Sequence, residues 1–251
     1  MDDYALVMPM AGRGSRFSKM GMDMPKPLID LGGKPFFWWA VESVRRSVPL
    51  REMVFVVLQE HCDRYAIDER ICAFYREARI VRIPEVTSGA AETAAIGLKE
   101  VATNGPVALN DCDHAFHSDM LADMARRFNE GSADAAVMCF RSDNPAYSYA
   151  AVDPDGLVTG TVEKKVVSPY AIAGCYLFAE PAVFLETFEH YREQCPYDEL
   201  FVSGIYNLLA EQHRTLLKAD MQQHWSFGTP EEYQRTDLPG LAAAFAGAAR
   251  S

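Results

Sequence analysis

Six consecutive apolar residues, Met53-Val54-Phe55-Val56-Val57-Leu58, constrain this chain more than any other stretch. A strand with one face in water alternates apolar and polar residues, so an unbroken run calls for cover on both faces. Tyr4–Met8, Pro106–Asn110 and Ala135–Phe140 read as further buried strands, and Ala78–Ile83 as another. Between them lie stretches of helical period. Pro35–Val48 places Phe36, Trp39, Ala40 and Val44 on one face, with Pro35 in the first turn. Cys62–Glu77 reads as a second helix, and a third opens at Thr87–Thr93 and runs to about Val101. Strands alternating with helices predict right-handed crossovers, and therefore an α/β fold built on a mainly parallel sheet. Ligands on such sheets collect beyond the carboxyl ends of the strands, which are the positions of Gly12 and Asp111.

From Asp134 the pattern becomes β-rich. Tyr147–Val152 and Leu157–Lys164 flank the turn Asp153-Pro154-Asp155-Gly156, and Ala171–Phe178 follows as a longer strand. Helices are expected from Pro181 and over Tyr197–Gln212, a strand over Arg214–Ala219, and a peripheral helix over Leu238–Ala249. No linker, internal repeat or low-complexity segment separates these parts. The expectation is one domain over 1–251, with halves at 1–133 and 134–237 and a terminal helix over 238–251.

The first strand leads into Pro9-Met10-Ala11-Gly12-Arg13-Gly14-Ser15-Arg16-Phe17, followed by Pro25-Lys26-Pro27-Leu28. Glycines after a strand let backbone N–H groups approach phosphate oxygens without an intervening Cβ. Arg16 adds bidentate contacts and Lys26 a point charge, presented from an extended segment between two prolines. Gly-x-Gly by itself is also an ordinary turn. A dinucleotide fingerprint requires a third glycine where Phe17 stands, and the Gly-Lys-Ser/Thr of a P-loop is absent. The net charge of −11 disfavours nucleic acid or an anionic membrane as partner, so a nucleotide needs a local basic pocket, which this loop supplies.

Together, Gly12, Gly14, Arg16, Pro25-Lys26-Pro27-Leu28 and Leu31-Gly32-Gly33-Lys34-Pro35 resemble the signature of the sugar-phosphate nucleotidylyltransferases. That resemblance implies a three-layer, Rossmann-like fold of GT-A type. Helices would flank a mostly parallel mixed sheet, and a small β-rich lobe would hold the acceptor. It further implies transfer of a nucleoside monophosphate from an NTP to a phosphorylated small molecule, with release of pyrophosphate. CTP, UTP and dTTP are the favoured donors. Met10, Ala11, Gly12, Gly14, Ser15, Arg16 and Lys26 would hold the triphosphate, and Ser88 and Gly89 would lie beside the base, although Ser88 reads equally as a helix N-cap.

Asn110-Asp111-Cys112-Asp113-His114 resembles the family's metal-bearing turn, with Asp111 on the metal-holding aspartate. In isolation it is also a plain turn with a helix cap. Carboxylate oxygens suit Mg²⁺, with Mn²⁺ as a substitute, so Asp111 and Asp113 are the metal candidates and Arg16, Lys26 and Asp111 the catalytic ones. Gly160-Thr161-Val162-Glu163-Lys164 resembles the element in which Glu163 holds acceptor hydroxyls and Lys164 the acceptor phosphate; alone, such charges are usually just solvated. Gly174 falls on the glycine against which the acceptor lies. One position departs: where the family carries an aspartate two residues before a late Gly-Thr, this chain has Ser226. Either Asp113 supplies that carboxylate, or the metal is held largely by phosphates and water.

The wording of these motifs is closest to enzymes of bacterial capsule and surface-polysaccharide synthesis. A metal-dependent glycosyltransferase using Asp111 and Asp113, and a non-catalytic nucleotide sensor of the same fold, are the competing readings. Six cysteines without a Cys-x-x-Cys pair, no apparent signal peptide and no long apolar run fit reduced thiols, no structural zinc and a cytoplasmic setting. A homo-oligomer remains open.

Overall fold

The computed structural model describes residues 3–246. The chain runs β1 (Tyr4–Pro9), α1 (Ser15–Ser18), a 3₁₀ turn (Lys26–Leu28), β2 (Asp30–Leu31), β3 (Lys34–Pro35), α2 (Phe36–Arg45), β4 (Leu50–Leu58), α3 (Gln59–Tyr65) and α4 (Ile67–Phe74). It continues through β5 (Arg79–Ile83), α5 (Ala90–Leu98), β6 (Val107–Asn110), β7 (His114–His117), α6 (Met120–Asn129), β8 (Ala135–Arg141), β9 (Tyr149–Val152), β10 (Val158–Val162) and β11 (Tyr170–Phe178). Last come α7 (Pro181–Gln194), α8 (Ile205–Glu211), β12 (Leu216–Asp220), β13 (Gln223–Ser226), α9 (Pro230–Arg235) and α10 (Leu238–Phe245).

A mixed sheet of nine strands forms the middle layer, in the order β10-β9-β11-β6-β1-β4-β5, with β8 also on β11 and β12 beyond β8. β6, β1, β4 and β5 are parallel, as are β8 and β12, whereas β11 runs antiparallel to β6, β8 and β9. The alternation along β1 shows why the buried runs are unbroken. Tyr4, Leu6 and Met8 face one core with α2, α4 and α6, while Ala5 and Val7 face a second core with α5, α7 and α8. Burial on both faces is what a continuous apolar strand satisfies. A smaller cluster of Phe17, Phe36, Trp39, Phe227, Leu241 and Phe245 fastens the opening loop to α2, α10 and the loop after β13.

Several local readings differ from the sequence pattern, and β7, β13 and α9 are not expected from it. The helix expected over Cys62–Glu77 is two helices, broken at Ala66 in the left-handed region (φ 51°), and both Ile67 and Ile71 are fully buried in the first core. The helix expected from Tyr197 begins only at Ile205, because Leu200 spends its backbone groups elsewhere: its N–H donates to Ser88 O (3.0 Å) and its carbonyl accepts from Ala91 N (2.9 Å). Lys26 lies in a 3₁₀ turn capped by an extended Pro25, not in a fully extended segment. α6 is a further helix, on which Leu121, Met124, Ala125 and Phe128 follow the helical period and are buried. The terminal helix is seen over Leu238–Phe245, and the expected part over 247–249 lies outside the described residues.

Candidate active site

The carboxyl ends of β1 and β6 open into a cleft of 760 Å³ bounded on the other side by β10, β11 and the loop after β13. Met10, Ala11, Gly12, Arg16 and Lys26 come from the opening loop, Gly89 from the turn before α5, Asp111 and Asp113 from the turn after β6, and Glu163, Lys164 and Gly174 from the β-rich half. Gly14, Ser15 and Ser88 are not part of the wall. Gly14 backs onto Lys26, and Ser88 donates its N–H to Glu92 (2.7 Å) and does not cap α5, whose N-cap is Gly89. Thr87, Thr93, Tyr147, Ser148, Tyr176, Phe201, His224 and Glu232 line the cleft without having been singled out in the sequence, and Gly228 of the late Gly-Thr joins them. Only Glu232 had a readable local signal: Thr229-Pro230-Glu231-Glu232 closes a capping box, and Glu232 also accepts from Tyr147 Oη at 2.6 Å.

The two aspartates of the turn are held from outside by glycines. An ideal Cβ at Gly174, which has φ 72°, would stand 2.6 Å from Asp111 Oδ2 and 3.2 Å from Asp111 Cβ. The Asp111 N–H donates to Gly174 O at 2.9 Å, so backbone and side chain of Asp111 are both fitted to the kink in β11. A Cβ at Gly228 would likewise strike the carboxylate of Asp113, whose carbonyl accepts from Phe227 N at 3.0 Å.

Lys26 Nζ meets Asp113 Oδ2 at 2.7 Å. Burial pulls the lysine pKa down, but Asp113, with support from Cys112 and Asp111, outweighs it and holds the ammonium firmly charged. Burial also opposes ionisation of Asp113, but the charge and hydrogen bond of Lys26 keep its pKa low. Asp111 lacks that direct partner, and burial followed by the charge of Asp113 pushes it up to about 7. Beneath the turn, Asn110 Nδ2 donates to Ala40 O (3.0 Å), which leaves Oδ1 to accept from His114 Nε2 at 3.0 Å. Burial lowers His114 to about 4 and His224 to about 3, so both rings are neutral.

The donor set fits a divalent cation of the Mg²⁺ type. Among the described residues no three His, Cys, Asp or Glu side chains form a closed cage. Mg²⁺ asks for less: one or two carboxylates, with substrate phosphates and water completing the shell. Asp111 and Asp113 supply two, and such a cation would offset both the burial and the repulsion by Asp113 that raise Asp111. The six cysteines are all free, and no helix among the described residues is long and apolar enough to cross a membrane.

The model of the MobA-like NTP transferase domain family matches residues 7–155. Among solved structures, a nucleoside-diphosphate-sugar pyrophosphorylase from Vibrio cholerae superposes with a TM-score of 0.79 at 22% identity, over 92% of this chain and 98% of that one. A Bacillus anthracis protein assigned as a glucose-1-phosphate thymidylyltransferase gives 0.75 at 19% identity, over 96% and 95%. The inositol-1-phosphate CTP transferase of T. maritima gives 0.72 at 15% identity, over 96% of each chain. At these identities the likeness shows the shared fold. No curated protein matches the chain.

Proposed function

This chain belongs to the MobA-like NTP transferase family and is a nucleotidyltransferase, and on that premise we propose that it moves a nucleoside monophosphate from a pyrimidine NTP to a phosphorylated small-molecule acceptor. The acceptor is a sugar 1-phosphate or a related phosphate ester. An acceptor phosphate oxygen attacks the α-phosphorus in line; the new O–P bond forms as the bond to the β-phosphate oxygen breaks, and pyrophosphate leaves. The setting is cytoplasmic, in the synthesis of surface-polysaccharide precursors.

The observation that carries this reading is the convergence of Lys26, Asp111 and Asp113 on one cleft, with Lys26 kept charged by Asp113 at 2.7 Å. Phosphoryl chemistry needs little covalent help from a protein, so positioning and charge do most of the work. Lys26 neutralises charge growing on the α-phosphate, and Arg16 holds the departing pyrophosphate. Met10, Ala11 and Gly12 face the phosphates, with Gly14 and Ser15 shaping the loop behind them, and Gly89 lies toward the base with Ser88 behind it holding Leu200. Glu163, Lys164 and Gly174 receive the acceptor. Asp111 and Asp113 would hold Mg²⁺, which supplies charge neutralisation between the phosphates. Pyrophosphate release, measured for CTP, UTP and dTTP against a panel of phosphorylated acceptors, tests the proposal. Release of a nucleoside diphosphate from a sugar nucleotide, with no pyrophosphate, would overturn it in favour of glycosyl transfer.

A further inference from the structure

Glu163 stands in the cleft wall just past the end of β10, and Lys164 follows it in the left-handed region at φ 52°. A side chain in that region is strained and persists only where its surroundings fix it. The surroundings are a chain of hydrogen bonds that no motif announces. Asn207, on α8, grips the edge of β10 as a strand would: its Oδ1 accepts from Thr161 N at 2.7 Å and its Nδ2 donates to Thr161 O at 3.1 Å. Thr161 Oγ1 donates to Ser203 O at 2.7 Å. Ser203, almost wholly buried, donates its hydroxyl to Glu163 Oε1, and Ser148 Oγ donates to the same oxygen at 2.6 Å.

We propose that Ser203 and Ser148 are positioning residues that set the Glu163 carboxylate toward the acceptor, with Asn207 and Thr161 fixing Ser203 in turn. The inference rests on the acceptor role given to Glu163 above. Two hydroxyl donors on Oε1 stop the carboxylate from rotating, which leaves Oε2 to accept from a donor on the substrate. The segment bearing Ser203 is also tied to the nucleotide side, since Leu200 bonds to both Ser88 and Ala91. The carboxylate is thereby referenced to both halves of the cleft, and a flexible side chain acts as a fixed acceptor.

The test uses Ser203→Ala, Ser148→Ala, the double variant and Ser203→Thr, in the wild-type and Glu163→Gln backgrounds. With glucose 1-phosphate and the best of CTP, UTP and dTTP, each alanine variant should raise the acceptor KM about tenfold, and the double variant about a hundredfold, with the NTP KM unchanged. Ser203→Thr should restore most of the loss, and the alanine effects should largely vanish in Glu163→Gln. In crystals of the double variant, the Glu163 carboxylate should leave its present position. An unmoved carboxylate there, or losses that add in full on Glu163→Gln, would overturn the proposal. A wild-type chain that releases no pyrophosphate with any pair would defeat the transfer reaction instead, and the crystallographic position of Glu163 would still decide this inference.

Discussion

Gly174→Ala separates the geometry of the Asp111–Asp113 turn from its chemistry, since no charge changes. Two costs follow from the structure. At φ 72° an alanine loses about 1–2 kcal/mol relative to glycine, which for a chain of this size lowers Tm by roughly 2–8 °C. The second cost is functional. The new Cβ would stand 2.6 Å from Asp111 Oδ2, 3.1 Å from Cγ and 3.2 Å from Cβ, so the whole carboxyl group has to retreat. Restoring an ordinary contact of about 3.4 Å moves that oxygen by close to an ångström, and a misplacement of that size costs on the order of a hundredfold in rate. Turnover measured by pyrophosphate release should therefore fall about a hundredfold at a temperature well below the new Tm, and the Mg²⁺ concentration for half-maximal rate should rise. Asp111→Asn in the same assay sets the floor. A Gly174→Ala enzyme with the expected Tm loss but wild-type turnover and Mg²⁺ dependence would refute the reasoning, because Asp111 would then tolerate displacement.

Lys26→Ala should lower turnover by about a hundredfold or more while leaving the NTP KM within a few-fold, because the ammonium acts on charge that grows in the transition state; near-normal turnover would return Lys26 to a structural role. Activity should disappear with EDTA and return with Mg²⁺ or Mn²⁺, and Asp113→Asn should lower activity and clearly raise the Mg²⁺ concentration it needs if both carboxylates serve the ion; a silent Asp113→Asn would leave Asp111 alone in that role. Lys164→Ala should raise the acceptor KM at least tenfold with the NTP KM nearly unchanged, and an equal rise in both would place Lys164 outside the acceptor subsite.

The layered architecture was legible because burial on two faces writes itself into composition: Val54, Phe55, Val56 and Val57 each need apolar cover, and no polar break is tolerated. Local signals gave less where a distant partner decides the conformation. Residues 197–204 have helix-compatible composition, yet the backbone of Leu200 is claimed by Ser88 and Ala91 over a hundred positions away in the chain. The cleft was partly legible for the same reason. Arg16, Lys26, Asp111 and Glu163 sit in compact motifs, whereas Tyr147, His224 and Ser203 reach their places only through strand pairing and helix docking. The antiparallel entry of β11 between β6 and β8 is such a pairing, and it is what brings Gly174 against Asp111.

Ser226 then acquires a physical reading. It closes β13 opposite His114 and lines the same cleft as both aspartates. A carboxylate at 226 would join Asp111, Asp113, Glu163, Glu199 and Glu232 in that cleft, where burial and then the charge of Asp113 already drive Asp111 up to about 7, with Glu163 and Glu199 adding to it. Each further like charge raises the cost of ionising the others. The loop that follows is shaped to take the carboxylate from elsewhere, since Gly228 leaves room for the Asp113 side chain and Phe227 N holds the Asp113 carbonyl. A serine at 226 thus adds no further negative charge beside Asp111 and Asp113, the second of which is balanced by Lys26. That balance supports the reading in which Asp113 takes over the missing metal oxygen. It also predicts that Ser226→Asp, made alone, would crowd the site and not improve it.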